Sequence, residues 1–148
     1  MMKEKIHIRQ AELQYLDAIE RIELENFSEE EAIAREILKD HIEKIQTTFL
    51  VAECQGQILG YLEGPVRPER YLIDSSFSEV EDLSQLEKGF ISITSLSIAK
   101  EAQGLGVGTL LLEAMKEIAI KEDCQGINLT CHDYLIPYYE KQGFTNEG

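Results

Sequence analysis

ISITSLSIAKEAQGLGVGTLLLEAMKEIA, residues 91–119, is the stretch whose reading decides the fold. Ile91, Ile93, Leu96 and Ile98 stand among serines and threonines, the composition of a β-strand. Gln103-Gly104-Leu105-Gly106-Val107-Gly108 follows, with glycine at alternate positions. Leu110, Leu111, Ala114, Met115, Ile118 and Ala119 then recur at helical spacing, with no proline among them. The stretch therefore reads as strand, glycine-rich turn, helix. A helix that starts at such a turn aims unpaired N–H groups and its positive dipole end at it. Two readings stand side by side. One is an anion site, phosphate being the usual biological anion; the other is a tight turn of small, packed residues.

Two phosphate motifs are excluded. A P-loop has Lys-Ser or Lys-Thr after its last glycine, and Gly108 is followed by Thr109-Leu110. The dinucleotide fingerprint is GxGxxG, and Gly104, Gly106 and Gly108 form GxGxG, late in the chain rather than after a first strand.

Working outward, 148 residues predict one domain, 1–148. No apolar run is long enough to span a bilayer, and MMKEKIHIRQ lacks the apolar core of a signal peptide. The expectation is a cytoplasmic protein with no membrane partner. A formal net charge of −14 argues against nucleic acid, which calls for a basic face. The same charge attracts cations at long range and suits an amine or polyamine ligand, although it also serves solubility alone. Cys54, Cys124 and Cys131 form no CxxC pair and read as free thiols. His7 and His41 lie far apart without metal-ligand spacing, so no metal is expected.

Lys5–Arg9 alternates as a first strand, and Leu13, Leu16, Ala18, Ile19 and Ile22 predict a helix to about Glu25. Ser28 with Glu31 reads as a capping box opening a second helix that ends near His41–Ile45. Thr47–Glu53 and Ile58–Leu62 form a hairpin about Cys54–Gln57, and Gly64-Pro65 ends it or marks an edge. Tyr71–Lys88 is polar and acidic and reads as a loop. Gly126–Cys131 is the next strand, and Asp133–Gln142 a short helix containing Pro137.

The run Gln103–Gly108 fits Gln/Arg-x-x-Gly-x-Gly/Ala and resembles the pyrophosphate loop of the GNAT family of N-acetyltransferases. Near the C-terminus, LTCHDYLIPYYEKQGF (129–144) resembles the close of a GNAT domain. Its pattern Cys-x-Asp-x-Leu-x-Pro-x-Tyr is similar to the arylalkylamine N-acetyltransferase branch. Ile22–Phe27, Glu31-Ala32, Phe49–Glu53 and Gly60–Gly64 look like that branch as well, so the resemblance covers nearly the whole chain. There are departures. The branch's two central-strand histidines fall at Ser92 and Thr94, its proline before the loop is Lys100, and its last strand would follow Phe144, whereas the chain stops at Gly148.

The resemblance implies an α/β (α+β) domain: a mixed, mostly antiparallel sheet flanked by helices. The central strand Ile91–Ile98 would diverge from Gly126–Cys131, with the cofactor entering the split. It implies acetyl-CoA as cosubstrate, bound by Leu96, Ser97, Ile98 and by Gln103, Gly104, Leu105, Gly106, Val107, Gly108 and Thr109. The acetyl group would pass to a small primary amine by direct attack in a ternary complex, with the protein a monomer or homodimer. Tyr139 matches the family's acid for the leaving thiolate, whereas Tyr138 reads as packing. Glu23, Glu25 and Glu63 are candidates for the base, Glu23, Phe27 and Glu63 for the acceptor side, and Ser92 or Thr94 for ordering a water that relays the amine proton. Each glutamate taken alone reads as a solvated surface charge. Cys131-His132-Asp133 cannot converge as a triad, because adjacent strand residues face opposite sides. Two other functions share the fold: acetylation of a protein N-terminus or lysine, and a silent acyl-CoA-binding module.

Overall fold

The computed structural model describes residues 6–28, 30–67, 89–129, 131 and 133–146. The expected loop Tyr71–Lys88, and Thr130 and His132 of the C-terminal run, lie outside the described residues. The elements in chain order are β1 (Ile6–Gln10), α1 (Leu16–Asn26), α2 (Arg35–Lys44), β2 (Phe49–Cys54), β3 (Gln57–Glu63), β4 (Val66–Arg67), β5 (Phe90–Ile93), β6 (Ser95–Ile98), α3 (Val107–Lys121), β7 (Gly126–Leu129) and α4 (Ile136–Lys141). No helix among the described residues is long and apolar enough to cross a membrane.

Strands β1, β2, β3 and β6 form one antiparallel sheet in that order, and β4, β5 and β7 form a second. The two meet where β5 runs into β6. β5 pairs in parallel with β7, Ile91 opposite Ile127. β6 pairs with β3, Leu62 opposite Leu96. The single strand expected over Ile91–Ile98 is thus two strands separated by Thr94. Ser95 faces Glu63 in the ladder, yet Thr94 N–H also donates to the Glu63 carbonyl at 2.9 Å. Two residues opposing one is a β-bulge, and it bends the strand from one partner to the other. The sheet is mostly antiparallel, as expected, and it splits between β6 and β7.

Helices cover both faces. Six of the seven residues of β3 are buried, so its two alternating sets of side chains both meet cover. α1 and α3 each pack on β3 and β6. On α1 the buried face is Leu16, Ile19, Ile22 and Glu23; on α3 it includes Leu111, Leu112 and Met115. Truncating any of those three apolar α3 side chains to alanine would cost about 2–5 kcal/mol.

One helix start differs from expectation. Ser28 Oγ does bond Glu31 Oε1 at 3.1 Å, and Ala32 N–H returns to Ser28 O at 2.8 Å. That turn closes without continuing. α2 begins at Arg35, with Ala34 as its N-cap and no side-chain cap bond.

Candidate active site

The glycine turn follows β6 and opens α3. Gly104 has φ +85° and Gly106 φ +80°, a region in which a β-carbon is strained. A β-carbon built at either position meets nothing within 4 Å, so these glycines serve the backbone's path, and the space over them is open. Gly106 is the N-cap of α3 and offers no side chain to the first-turn N–H groups. Those amides and the helix dipole point at the turn, the general arrangement in which helix N-termini receive anions. Gly108 differs: a β-carbon there would crowd the Tyr138 hydroxyl.

The turn is tied to α1. Asn26 Nδ2 donates to Ile98 O at 2.8 Å and Ser97 Oγ at 2.9 Å. Gln103 Nε2 donates to Asn26 Oδ1 at 3.2 Å and to Ile98 O at 3.3 Å. Glu25 Oε1 accepts the Lys100 N–H at 3.1 Å, so this glutamate holds the approach to the loop. Thr109 Oγ1, expected at the cofactor, accepts Gln142 Nε2 at 3.0 Å and links α3 to the segment after α4.

Along the split, the alternating antiparallel pattern fixes which amides are free. Ala99 N–H bonds Leu59 O with Ile98 opposite Gly60, so the N–H groups of Leu96 and Ile98 point away from β3. The edge they face has no strand partner among the described residues. An acyl carbonyl or an amide chain laid along this edge would find donors there.

On the α1–α2 side lies a buried polar layer that hydropathy alone conceals. Glu23 is 2 % exposed, and Glu63 and His41 are both 0 % exposed. Glu23 accepts the Tyr61 hydroxyl on Oε1 and Ile33 N–H on Oε2 at 2.9 Å. Tyr61 also shares a 2.9 Å bond with Ser95 Oγ. Glu63 Oε1 bonds His41 Nδ1 and accepts the Thr94 hydroxyl at 3.2 Å. Burial raises the Glu23 carboxyl, against the Tyr61 and Ile33 bonds that lower it. Burial first, then Glu63 and Glu23, hold the Tyr61 phenol well above its usual range. The two glutamates are therefore not solvated surface charges. As placed, they reach an acceptor only through their neighbours. Phe27, at the end of α1, is exposed.

Of the residues proposed for relaying, Thr94 is half-buried at the bulge, and Ser92 Oγ is buried with no partner among the described residues. Tyr139 is half-buried on α4, edge-on to Tyr138 at 5.1 Å and to Phe144 at 5.8 Å between ring centroids. Burial, then Tyr138 and Cys131, push its phenol up to about 12. The Tyr138 hydroxyl packs against Gly108 in the first turn of α3. Sequence reasoning missed His41. Its signal was spacing: Leu38, His41, Ile42 and Ile45 fall on one helical stripe. Among the described residues no group of His, Cys, Asp and Glu is arranged to hold a metal.

The split, mostly antiparallel sheet and the glycine turn that opens α3 are the fold features that the family resemblance implied. The chain belongs to the acetyltransferase (GNAT) family, whose sequence profile matches residues 15–144. It is similar to an N-alpha-acetyltransferase of Sulfurisphaera tokodaii, 30% identical over 110 residues. That match covers 71% of this chain and 60% of the relative, so the chain spans less than two thirds of that protein's length. Among solved structures, a transcriptional regulator from Bacillus halodurans C-125 superposes with TM-score 0.75 at 19% identity, over 97% of this chain and 95% of that one. An aminoglycoside acetyltransferase from a soil metagenome, crystallised with sisomicin, gives TM-score 0.70 at 16% identity, over 100% and 93%. At such identities the structural matches speak for the fold.

Proposed function

We propose that the protein transfers the acetyl group of acetyl-CoA to a primary amine by direct attack in a ternary complex. The observation that carries this reading is the open space over Gly104 and Gly106, a cradle for an anion at the N-terminus of α3, after a β6 edge with no strand partner among the described residues. The cradle amides from Gln103 to Thr109 would hold the pyrophosphate, and the free N–H groups of Leu96 and Ile98 would fix the acyl arm and its carbonyl oxygen. Tyr139 is the proton donor to the departing thiolate. Its phenol, pushed up to about 12, stays protonated at neutral pH. The formal net charge of −14 favours an amine arriving as a cation, and Glu23 and Glu63 lie on the acceptor side. Phe27 supplies an apolar contact at its rim.

The acceptor has two readings. The 129–144 run favours a small arylalkylamine-like or polyamine acceptor. The Sulfurisphaera relative favours the α-amino group of a polypeptide. Thiol release from acetyl-CoA, followed over small amines, polyamines and peptides with free or blocked N-termini, separates them. Turnover on free-N-terminal peptides alone selects the second. Binding of acetyl-CoA without turnover on any acceptor would reduce the protein to an acyl-CoA-binding module.

A further inference from the structure

The sequence placed Glu63 and Thr94 near the acceptor, and the structure adds a residue behind them, His41, paired with Glu63. His41 lies on α2 and Glu63 at the end of β3, and both are fully buried. His41 Nδ1 and the Thr94 hydroxyl converge on the same oxygen, Glu63 Oε1. With Glu63 as the acceptor of both, Nδ1 carries the imidazole hydrogen. Glu63 Oε2 is buried and has no partner among the described residues. A buried carboxylate with half its acceptor capacity unused is costly unless it serves a ligand, water or proton. Among the described residues, Glu23 of α1 and Tyr61 of β3 also bear on it. Thr94 is half-buried and occupies the bulge where β5 becomes β6, beside the split. Its hydroxyl is thus the outer end of a line whose inner end is His41.

We propose that Thr94 and Glu63 take the proton of the acceptor ammonium, and that His41 is the positioning residue that holds Glu63 for this task. The inference rests on the acetyltransferase reading above. The ammonium gives a proton to Thr94 Oγ as the Thr94 hydrogen passes to Glu63 Oε1. Glu63 becomes a carboxylic acid, the amine nitrogen gains its lone pair, and that nitrogen forms the bond to the acetyl carbon as the carbon–sulfur bond breaks. Over the whole reaction the nitrogen loses two protons; one ends on the thiol and one goes to solvent.

The test compares two primary amines of similar size, one strongly and one weakly basic, the second neutral at the assay pH. Thr94→Val removes the hydroxyl and keeps the shape. It should lower kcat/KM for the basic amine roughly tenfold or more, within the range of lost acid–base catalysis. The weakly basic amine, which has no proton to give up before attack, should fall less than about twofold, with KM for acetyl-CoA unchanged. Thr94→Ser should restore the basic amine. His41→Leu should repeat the selective loss and His41→Asn, which keeps a donor, should relieve it; if His41→Leu does not fold, the Thr94 series decides. Equal losses for both amines would make the relay merely structural and overturn the inference while leaving the transferase reading intact. Absence of turnover by the wild-type protein on any amine would overturn both.

Discussion

A β-carbon on Gly108 would stand 2.6 Å from the hydroxyl oxygen of Tyr138, and the next ring atom, Cζ, is 3.7 Å away. The glycine turn and the C-terminal helix are therefore fitted to each other through one oxygen atom.

Gly108→Ala should destabilise the protein by about 1–3 kcal/mol, the usual cost of overpacking. In a Tyr138→Phe background the offending atom is gone, and the remaining contact is ordinary. There the same change should be neutral, or stabilising by up to about 1 kcal/mol because alanine is the better helix former. Urea unfolding of the four proteins measures the coupling. Additive effects would mean that the two residues do not meet.

Much of this arrangement was legible in the sequence, because period and punctuation specify it. The strand–turn–helix of 91–119 and the hairpin around Gln55-Gly56 came through on alternation, helical spacing and glycine. The bulge at Thr94 did not, although it left a trace. Ile91 and Ile93 share one parity and Leu96 and Ile98 the other, and one inserted residue is what shifts the phase. The buried glutamates were hidden by composition, since charge predicts exposure. Glu23 nevertheless lies seven residues after Leu16 and four after Ile19, on the buried stripe of α1. The α2 start was misplaced because a capping-box pattern specifies a local bond, and that bond forms whether or not the turn propagates.

Asn26 joins α1 to β6 and to the glycine turn through bonds to Ser97, Ile98 and Gln103. Asn26→Ala removes the part-buried donor to the Ser97 hydroxyl and leaves Ile98 O with Gln103 Nε2 alone, and should cost about 1–3 kcal/mol of stability. It should also weaken acetyl-CoA binding, since the turn loses its anchor. Thermal unfolding and a binding isotherm on one preparation check both effects; wild-type values in each would remove Asn26 from the account.

Tyr139→Phe keeps the ring against Tyr138 and Phe144 and removes the proton donor. Turnover should fall roughly a hundredfold or more with acetyl-CoA affinity nearly unchanged. Single-turnover measurement of the acetyl-transfer step separates this from slow product release. A wild-type transfer step in the variant would make the tyrosine structural.

The same phenol makes a pH prediction. Its proton is held to about pH 12 in the folded protein, against about 10 for a free tyrosine. Tyr61 shifts in the same direction. Between those limits the unfolded chain binds fewer protons than the folded one, so stability is complete below pH 10 and falls as pH rises toward 12. Tyr139→Phe and Tyr61→Phe should each flatten that fall in urea unfolding at pH 9.5, 10.5 and 11.5, values on the order of the shifted range. An unchanged slope would mean that neither phenol is perturbed.

In the proposed function the Gln103–Thr109 backbone holds the pyrophosphate of acetyl-CoA. Gly106→Asp adds a carboxylate to the cradle, where a β-carbon meets open space. Gly106→Asn carries the same bulk without charge and tolerates positive φ, which controls for the backbone. Calorimetric titration of acetyl-CoA into the wild type and both variants, each shown to be folded by circular dichroism, is the direct measurement. Saturable binding to the wild type, weaker binding to Gly106→Asn and none detectable to Gly106→Asp are predicted. Equal affinity in a folded Gly106→Asp protein would contradict the account.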